Sequence, residues 1–217
     1  MPRSASQFLD AIRPILAEGN PEELARVARA DWSAREISGF LTSPERDARQ
    51  AAAFVLGIIG RADNAGPLMR ALHDPDPELV QLAENSLWSI WFRNGSPLAA
   101  PDFSRGVALL AQDRVEDARA GFEAALAIDP EFAEAHNQLA ICHFIRGRYE
   151  DSLRACERVV RLMPTHFGAW AGKGHSHVHL GQVDAAVDSY RRALAIHPGL
   201  ETISESLRQL REGIPGR

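Results

Sequence analysis

Apolar residues recur at helical spacing along most of the chain, and this pattern predicts α-helices rather than strands. In the C-terminal half the apolar runs come in pairs, with a short turn inside each pair and a proline at its end. The closing segments read GFEAALAIDP, ACERVVRLMP and SYRRALAIHP, and their prolines Pro130, Pro164 and Pro198 recur with a 34-residue period. The pattern therefore predicts helical hairpins that repeat with this period.

The hairpins carry matching side chains at matching positions. One slot holds a very small side chain, which lets two helices approach closely: Gly106, Ala140 and Gly174. A second slot holds an aromatic or small apolar side chain: Phe122, Cys156 and Tyr190. A third slot falls at the turn between the two helices of a hairpin: Asp113, Gly147 and Gly181. A single hairpin cannot bury its apolar faces, so stacked copies are expected to share one core.

Together these features resemble the tetratricopeptide repeat (TPR), a family of stacked helical hairpins. The resemblance covers three units and a capping helix, at about residues 99–132, 133–166, 167–200 and 200–212. The first unit departs most from the family pattern, because Asp102 stands where a tryptophan is common and where the third unit has Trp170. We therefore assign residues 99–217 to a TPR domain.

The N-terminal half repeats more weakly. The segments ARQAAAFVLGIIG (48–60) and VQLAENSLWSIWF (80–92) align at a 32-residue offset. They resemble the short HEAT-type repeat found in bilin lyases and many bacterial adaptors, over about residues 21–93, with an opening helix near 6–18. We therefore expect residues 1–93 to form a HEAT-like helical repeat domain. The predicted fold class is all-α: a right-handed α-solenoid of helical hairpins, HEAT-like and then TPR.

The composition fits a folded protein that is not specialised for nucleic acid. The chain has 217 residues, of which 45% are hydrophobic and 24% charged, as in ordinary globular proteins. A net charge of -5 without a basic stripe disfavours nucleic-acid binding. Cys142 and Cys156 are too few for a disulfide framework and are interpreted as apolar core residues in a reducing compartment. With no secretory signal or bilayer-length apolar stretch, we expect a cytoplasmic protein.

The histidine-rich segment GHSHVHL lies in the first helix of the third unit. On a helix His175 and His179 share one face, whereas His177 points to the opposite side and is expected to be buried or half-buried. The TPR resemblance implies that the first helices of the units line a concave groove. The groove residues implied in this way are Phe103, Val107, Leu110, Asn137, Ile141, Phe144, Ala171, His175, Val178 and His179, with Glu205 and Gln209 of the capping helix at its edge.

This groove would be largely apolar, with a histidine pair at one end. TPR domains that clamp a terminal carboxylate carry Lys, Arg and Asn in the groove, and here only Asn137 fits. An apolar groove favours an amphipathic helix or an apolar extended segment of a partner protein. We therefore expect a non-enzymatic adaptor or scaffold without a cofactor.

Three other interpretations stay open. The chain's own N-terminal helix could cover the groove, or a second copy could cover it, in which case the protein would be a homo-oligomeric assembly module. The HEAT resemblance alone suggests a bilin-lyase-like chaperone for a prosthetic group. His175 and His179, with Glu205 as a third ligand, suggest a metal-responsive regulator.

No pattern in the sequence indicates catalysis. There is no glycine-rich phosphate loop and no HExxH motif. Cys142 and His143 are neighbours in sequence and would diverge on a helix, so they do not form a nucleophilic dyad. We therefore expect the protein not to be an enzyme.

Overall fold

The computed structural model describes residues 4–213, which form thirteen α-helices and one short 3-10 helix, with no strand in that range. The chain divides into two compact units, with the boundary between Arg93 and Asn94. The predicted all-α class is confirmed, and the hairpins of the second unit stack in sequence as in an α-solenoid. The ends of the two predicted domains, residues 1–3 and 214–217, lie outside the described residues.

The first unit contains six α-helices in its described part. They are α1 (Ala5–Glu18), α2 (Pro21–Asp31), α3 (Ala34–Phe40), α4 (Arg46–Ile59), α5 (Ala65–Ala71) and α6 (Pro77–Phe92), with the 3-10 helix at Ala62–Asn64. Side-chain caps fix several starts: Ser4 and Ser33 each form a capping box, and Asn20 accepts a hydrogen bond from the backbone N–H of Glu23. The core of this unit lies where α1, α2 and α6 pack against α4.

Helices α4 and α6 repeat at a 31-residue offset, so the sequence alignment given above is off by one position. Their N-caps are Glu45 and Asp76. Counting from these caps pairs buried residues with buried residues: Ala52 with Ala83, Leu56 with Leu87, and Ile59 with Ile90. The run of three alanines at 51–53 lets the sequence slide by one position without losing its apolar match, and the caps remove this ambiguity.

Asp76 links these two helices. Its carboxylate accepts hydrogen bonds from Arg46 Nε at 2.9 Å, Arg46 Nη2 at 3.0 Å and Gln50 Nε2 at 2.8 Å. It also accepts the backbone N–H of Glu78, in the first turn of α6. These donors, Arg46 first, hold the pKa of Asp76 well below its usual range. The start of α6 is therefore fixed to α4 by a bidentate ion pair.

The second unit contains seven α-helices in its described part. They are α7 (Ala100–Ala111), α8 (Val115–Ile128), α9 (Ala133–Ile145), α10 (Tyr149–Leu162), α11 (Phe167–His179), α12 (Val183–Ile196) and α13 (Glu201–Glu212). The starts of α8, α10 and α12 follow the 34-residue period, as do the left-handed turn residues Asp113, Gly147 and Gly181, whose φ angles are 59°, 69° and 70°. Helix α13 packs on α12 at the end of the stack.

The small-residue slot sets the distance between the helices of each hairpin. A Cβ atom added to Gly106 would lie 2.7 Å from the Phe122 ring, and one added to Gly174 would lie 2.3 Å from the Tyr190 ring. In the middle hairpin Ala140 instead packs against Cys156, whose side chain is small. An aromatic residue is therefore present where its partner is glycine, and a small residue where its partner is alanine.

Candidate functional site

Three of the five large hydrophobic side chains exposed in the described part of the second unit lie on the first helices of its second and third hairpins. Ile141, Ile145 and Val178 are 39%, 50% and 37% exposed, which is unusual for large aliphatic side chains. Helices α9 and α11 contact each other there through Phe144, which faces His175 and His179. We define the α9–α11 face by six residues: Ile141, Phe144, Ile145, His175, Val178 and His179.

An aromatic cluster stabilises this face. The ring of His179 stacks on that of Tyr149, with 4.2 Å between centroids and an interplanar angle of 11°. Phe144 packs edge-on against both rings, at 5.2 Å from His179 and 5.4 Å from Tyr149. Tyr149 begins α10, and the sequence interpretation missed it because only first helices were assigned to the groove. Its signal was an aromatic residue in the slot that Val115 and Val183 occupy in the other hairpins.

His175 is held in place from the neighbouring helix. Its Nδ1 lies 2.7 Å from the hydroxyl oxygen of Tyr190. Burial and then the nearby His179 lower the pKa of His175, and burial raises the pKa of Tyr190 to about 12. Both groups are therefore held neutral, and the contact is a hydrogen bond between a phenol and a neutral imidazole whose direction follows the imidazole tautomer. This bond orients the imidazole within the α9–α11 face.

Two predicted groove residues are core residues instead. Phe103 is 3% exposed and packs on Phe122 and Phe132, with centroids 5.7 and 4.6 Å away. Asn137 is 4% exposed, and its Nδ2 donates to Glu134 Oε1 at 3.0 Å. Phe132, the N-cap residue of α9, covers Phe103, and Asn137 is buried against Glu134 of its own helix, so neither side chain is accessible to a partner. Val107, Leu110 and Ala171 are half-buried.

Asn137 belongs to a buried polar network between the second and third hairpins. Glu134 Oε1 accepts hydrogen bonds from Asn137 Nδ2 and from Gln138 Nε2 at 2.7 Å, and Glu134 Oε2 lies 2.9 Å from His166 Nε2. His166 Nδ1 accepts the backbone N–H of Ala169 at 3.0 Å, so the imidazole proton is on Nε2 and is donated to the carboxylate. The side chains of Glu134 and His166 are both fully buried. The network therefore places a carboxylate inside the stack of hairpins.

The capping-helix residues are exposed but point to each other. Glu205 pairs with Arg208 at 2.7 Å and accepts a hydrogen bond from Gln209 Nε2 at 2.7 Å, which lowers the pKa of Glu205. The expectation that Glu205 would join His175 and His179 is therefore wrong. Within residues 4–213 no three His, Cys, Asp or Glu side chains are grouped so as to hold a metal ion.

His177 and the two cysteines are buried. His177 is 8% exposed and its Nδ1 lies 2.6 Å from Gln182 Oε1. Both cysteines are free, and burial raises the pKa of Cys142 to about 11 and that of Cys156 to about 12. Neither thiol is therefore activated as a nucleophile at neutral pH.

In the described part of the chain no helix combines the length and the hydrophobicity that a membrane span requires.

The second unit matches a known repeat family. The family model for the tetratricopeptide repeat matches residues 103–167 and 146–201. A TPR repeat-containing protein of Rhizobium etli is 26% identical over 141 residues, which are 65% of this chain and 69% of that protein. The Hsp70-Hsp90 organizing protein of Triticum aestivum is 29% identical over 108 residues, 48% of this chain but 18% of that protein.

Solved structures agree on the fold of this part. The first TPR of Spaghetti (RPAP3), bound to the HSP90 peptide SRMEEVD, matches with a TM-score of 0.53 and 18% identity over 54% of this chain and 92% of that chain. The second TPR domain of human RPAP3, in complex with the HSP70 peptide SGPTIEEVD, matches with a TM-score of 0.50 and 20% identity, over 52% and 94% of the two chains. The family match over residues 103–201 and the 34-residue spacing of the helices both support TPR repeats in the second unit.

Proposed function

We propose that the protein is a non-enzymatic adaptor that binds a peptide or helix of a partner protein on the α9–α11 face. The observation that carries this proposal is the exposure of Ile141, Ile145 and Val178 beside an ordered aromatic cluster. Exposed apolar patches of this kind are typical of surfaces that a partner covers. TPR modules are typically interaction modules rather than enzymes, in agreement with this assignment.

The chemistry of the face favours an apolar partner segment. Each aliphatic side chain that becomes fully buried contributes about 1.5–3 kcal/mol. Ile141, Ile145 and Val178 are between 37% and 50% exposed, so a partner that covers them gains up to about half of this from each, while His175 and His179 offer hydrogen bonds at the edge of the patch. An amphipathic helix with apolar residues at i, i+3, i+4 and i+7 would present a matching stripe.

An acidic peptide fits this surface less well. The peptides bound in the two RPAP3 structures end in EEVD, and a carboxylate-rich tail is bound most strongly by cationic side chains. In this chain the groove slots at Val107, Ile141 and Ala171 are apolar, and Asn137 is buried against Glu134. We therefore propose a partner whose contact residues are aliphatic or aromatic rather than acidic.

Cross-linking in lysate of the source organism tests this proposal. The variant Ile145→Glu, Val178→Glu places charges on the α9–α11 face, and the control Leu98→Glu, Ile128→Glu places them at other exposed apolar positions of the same unit. Circular dichroism checks that both variants fold. We expect the face variant to weaken capture of its partner roughly 10- to 100-fold and the control to leave it unchanged. A partner that binds both variants equally would place the binding site elsewhere.

Self-association is the other occupant that this face would accept. Sedimentation velocity over a range of protein concentrations distinguishes the two cases. A wild-type dimer that the Ile145→Glu, Val178→Glu variant abolishes would make the α9–α11 face a homodimer interface. A wild-type monomer leaves the face open for a heterologous partner.

We also propose that the first unit is HEAT-like. The recurrence of N-caps and buried positions at the 31-residue offset between α4 and α6 supports two related helices, each preceded by a short helix, α3 or α5. A role as a bilin-lyase-like chaperone would rest on this resemblance alone. Absorption spectra of the protein purified from its source test that role, because a bound chromophore would be visible directly.

A further inference from the structure

The first unit contains a cleft whose cations have no partners within it. The cleft has a volume of about 680 Å³ and lies between the end of α2, the start of α3, the 3-10 helix and α5. Three arginines line it: Arg29, Arg35 and Arg61. We name it the arginine cleft.

The arginines of this cleft lack the carboxylate partners that several other arginines of the unit have. Among the described residues Arg46 pairs with Asp76, and Arg26 with Glu23. Arg29, Arg35 and Arg61 form no ion pair within 4.0 Å in the described part of the chain. Asp63 is the one carboxylate among the described residues that line the cleft, and it is not paired with any of the three. The cleft therefore carries excess positive charge in a chain whose net charge is -5.

A fourth arginine adds to this positive charge. Arg93 Nη2 donates to the carbonyl oxygen of Gly57 at 2.7 Å and to that of Gly60 at 3.4 Å, next to Arg61 in sequence. Burial and the charge of Arg29 lower the pKa of Arg93, so the two cations are close enough to repel each other. Like charges held together without counterions destabilise the fold, and a bound anion would relieve that repulsion.

The floor of the cleft is fixed by a buried amide. Asn64 is 8% exposed, and its Nδ2 donates to the carbonyl oxygen of Ala34 at 3.3 Å and to Ser38 Oγ at 3.0 Å. Its Oδ1 accepts the backbone N–H of Arg61 at 2.9 Å. Asn64 therefore holds the backbone of Arg61 against α3, so the cleft is built on an ordered base.

We propose that the arginine cleft binds a small ligand that carries two or more oxyanion groups, either phosphates or carboxylates. Guanidinium groups match both kinds of oxyanion through paired N–H donors, and several of them around one cleft favour a ligand with several charges. The volume lies within the range of small-molecule sites. This site is separate from the α9–α11 face and does not depend on the function proposed for that face.

Calorimetric titration of the full chain with pyrophosphate and, separately, with citrate tests the proposal at constant ionic strength. The variant Arg29→Gln, Arg35→Gln, Arg61→Gln removes the three cations, which lie at exposed positions. The control Arg114→Gln, Arg154→Gln, Arg191→Gln removes the same charge from exposed positions of the second unit. We expect wild type and control to bind at least one probe, and the cleft variant to bind it at least about tenfold more weakly.

The two probes distinguish the ligand classes, because pyrophosphate reports a phosphate site and citrate a carboxylate site. Absence of binding by wild type to both probes would overturn the proposal. So would equal losses in the cleft variant and the control, which would indicate attraction to net charge alone. If the triple variant does not fold, single variants Arg35→Gln and Arg61→Gln replace it, and each is expected to weaken binding at least about threefold.

Discussion

The buried network around Glu134 makes a prediction that the repeat itself can test. The 34-residue spacing places His166 in the slot of Phe132, Asn137 in that of Phe103, and Glu134 in that of Ala100. At the junction between the first and second hairpins, the centroids of the Phe103 and Phe132 rings are 4.6 Å apart. At the junction between the second and third hairpins, a carboxylate and three hydrogen-bond donors take the corresponding positions. The first junction therefore shows which apolar side chains fit at the second.

The variant His166→Phe is expected to destabilise the second unit. It removes the Nε2 donor to the Glu134 carboxylate, worth about 1.5–3 kcal/mol for a charged hydrogen bond. It also removes the Nδ1 acceptor that caps α11 at Ala169, worth about 1 kcal/mol. The larger apolar ring recovers part of this, so we expect a net loss of about 2–4 kcal/mol, because the Glu134 carboxylate stays buried with one donor fewer.

The quadruple variant Glu134→Ala, Asn137→Phe, Gln138→Ser, His166→Phe should be far more stable than the single variant. It reproduces the side chains Ala100, Phe103, Ser104 and Phe132 of the first junction and leaves neither a buried charge nor the amide of Gln138 without its acceptor. Replacement of a whole buried polar group by apolar side chains is neutral or stabilising in other proteins, so we expect stability within about 1 kcal/mol of wild type or above it.

Urea unfolding followed by circular dichroism at 222 nm measures both variants. For a domain of this size the single variant should lower the midpoint by roughly 1–3 M. The variant Glu134→Ala, Asn137→Ala, Gln138→Ser, His166→Phe controls for crowding by the introduced Phe at 137, because it leaves neither amide buried without an acceptor. The reasoning is refuted if His166→Phe leaves the midpoint unchanged, or if both multiple variants are as unstable as the single one.

Three further predictions concern the second unit. Gly174→Ala should cost about 1–3 kcal/mol in urea unfolding, despite the better helix propensity of alanine, because the new Cβ would lie 2.3 Å from the Tyr190 ring. In a Tyr190→Cys background, which has its own cavity cost, the same Gly174→Ala change should cost much less, and equal costs in the two backgrounds would refute the contact. At the left-handed turns, Asp113→Gly should raise the melting temperature slightly, while Gly147→Ala should lower stability by about 1 kcal/mol, as calorimetry would show. Burial lowers the pKa of His136, His143 and His175, so near pH 6 the unfolded chain binds more protons than the folded chain. The urea midpoint should therefore fall as the pH falls from 7 to 5, and His→Gln at all three positions should flatten this dependence.

The sequence predicted the hairpins of the second unit because their signals are local. The prolines, small residues and turn residues each act within one hairpin, so their spacing determines where α7 to α12 begin and end. The sequence alignment of α4 with α6 was off by one residue, because the N-caps and not the run of alanines determine the offset between these two helices.

The parts of the site that sequence reasoning missed depend on contacts between hairpins. Glu134 stands near the start of a helix, where an acidic residue is ordinarily solvated, and its partner His166 lies in the following repeat. Asn137 and Phe103 were placed in the groove because their slot was assigned from the family pattern, without the covering side chain from the next hairpin. Tyr149 enters the α9–α11 face from a second helix, which no rule based on first helices would include.

The pairing of small and large side chains inside the hairpins also limits how this repeat can evolve. Two substitutions convert a pair like Ala140–Cys156 into a pair like Gly174–Tyr190, and the two possible routes differ in which residue changes first. A route that introduces the aromatic residue first drives a ring into a Cβ atom, whereas a route that introduces glycine first only leaves a small void. The order of the two substitutions is therefore constrained. Glycine must appear before the aromatic residue when the pair becomes Gly–aromatic, and the aromatic residue must be lost before glycine when the pair becomes Ala–Cys.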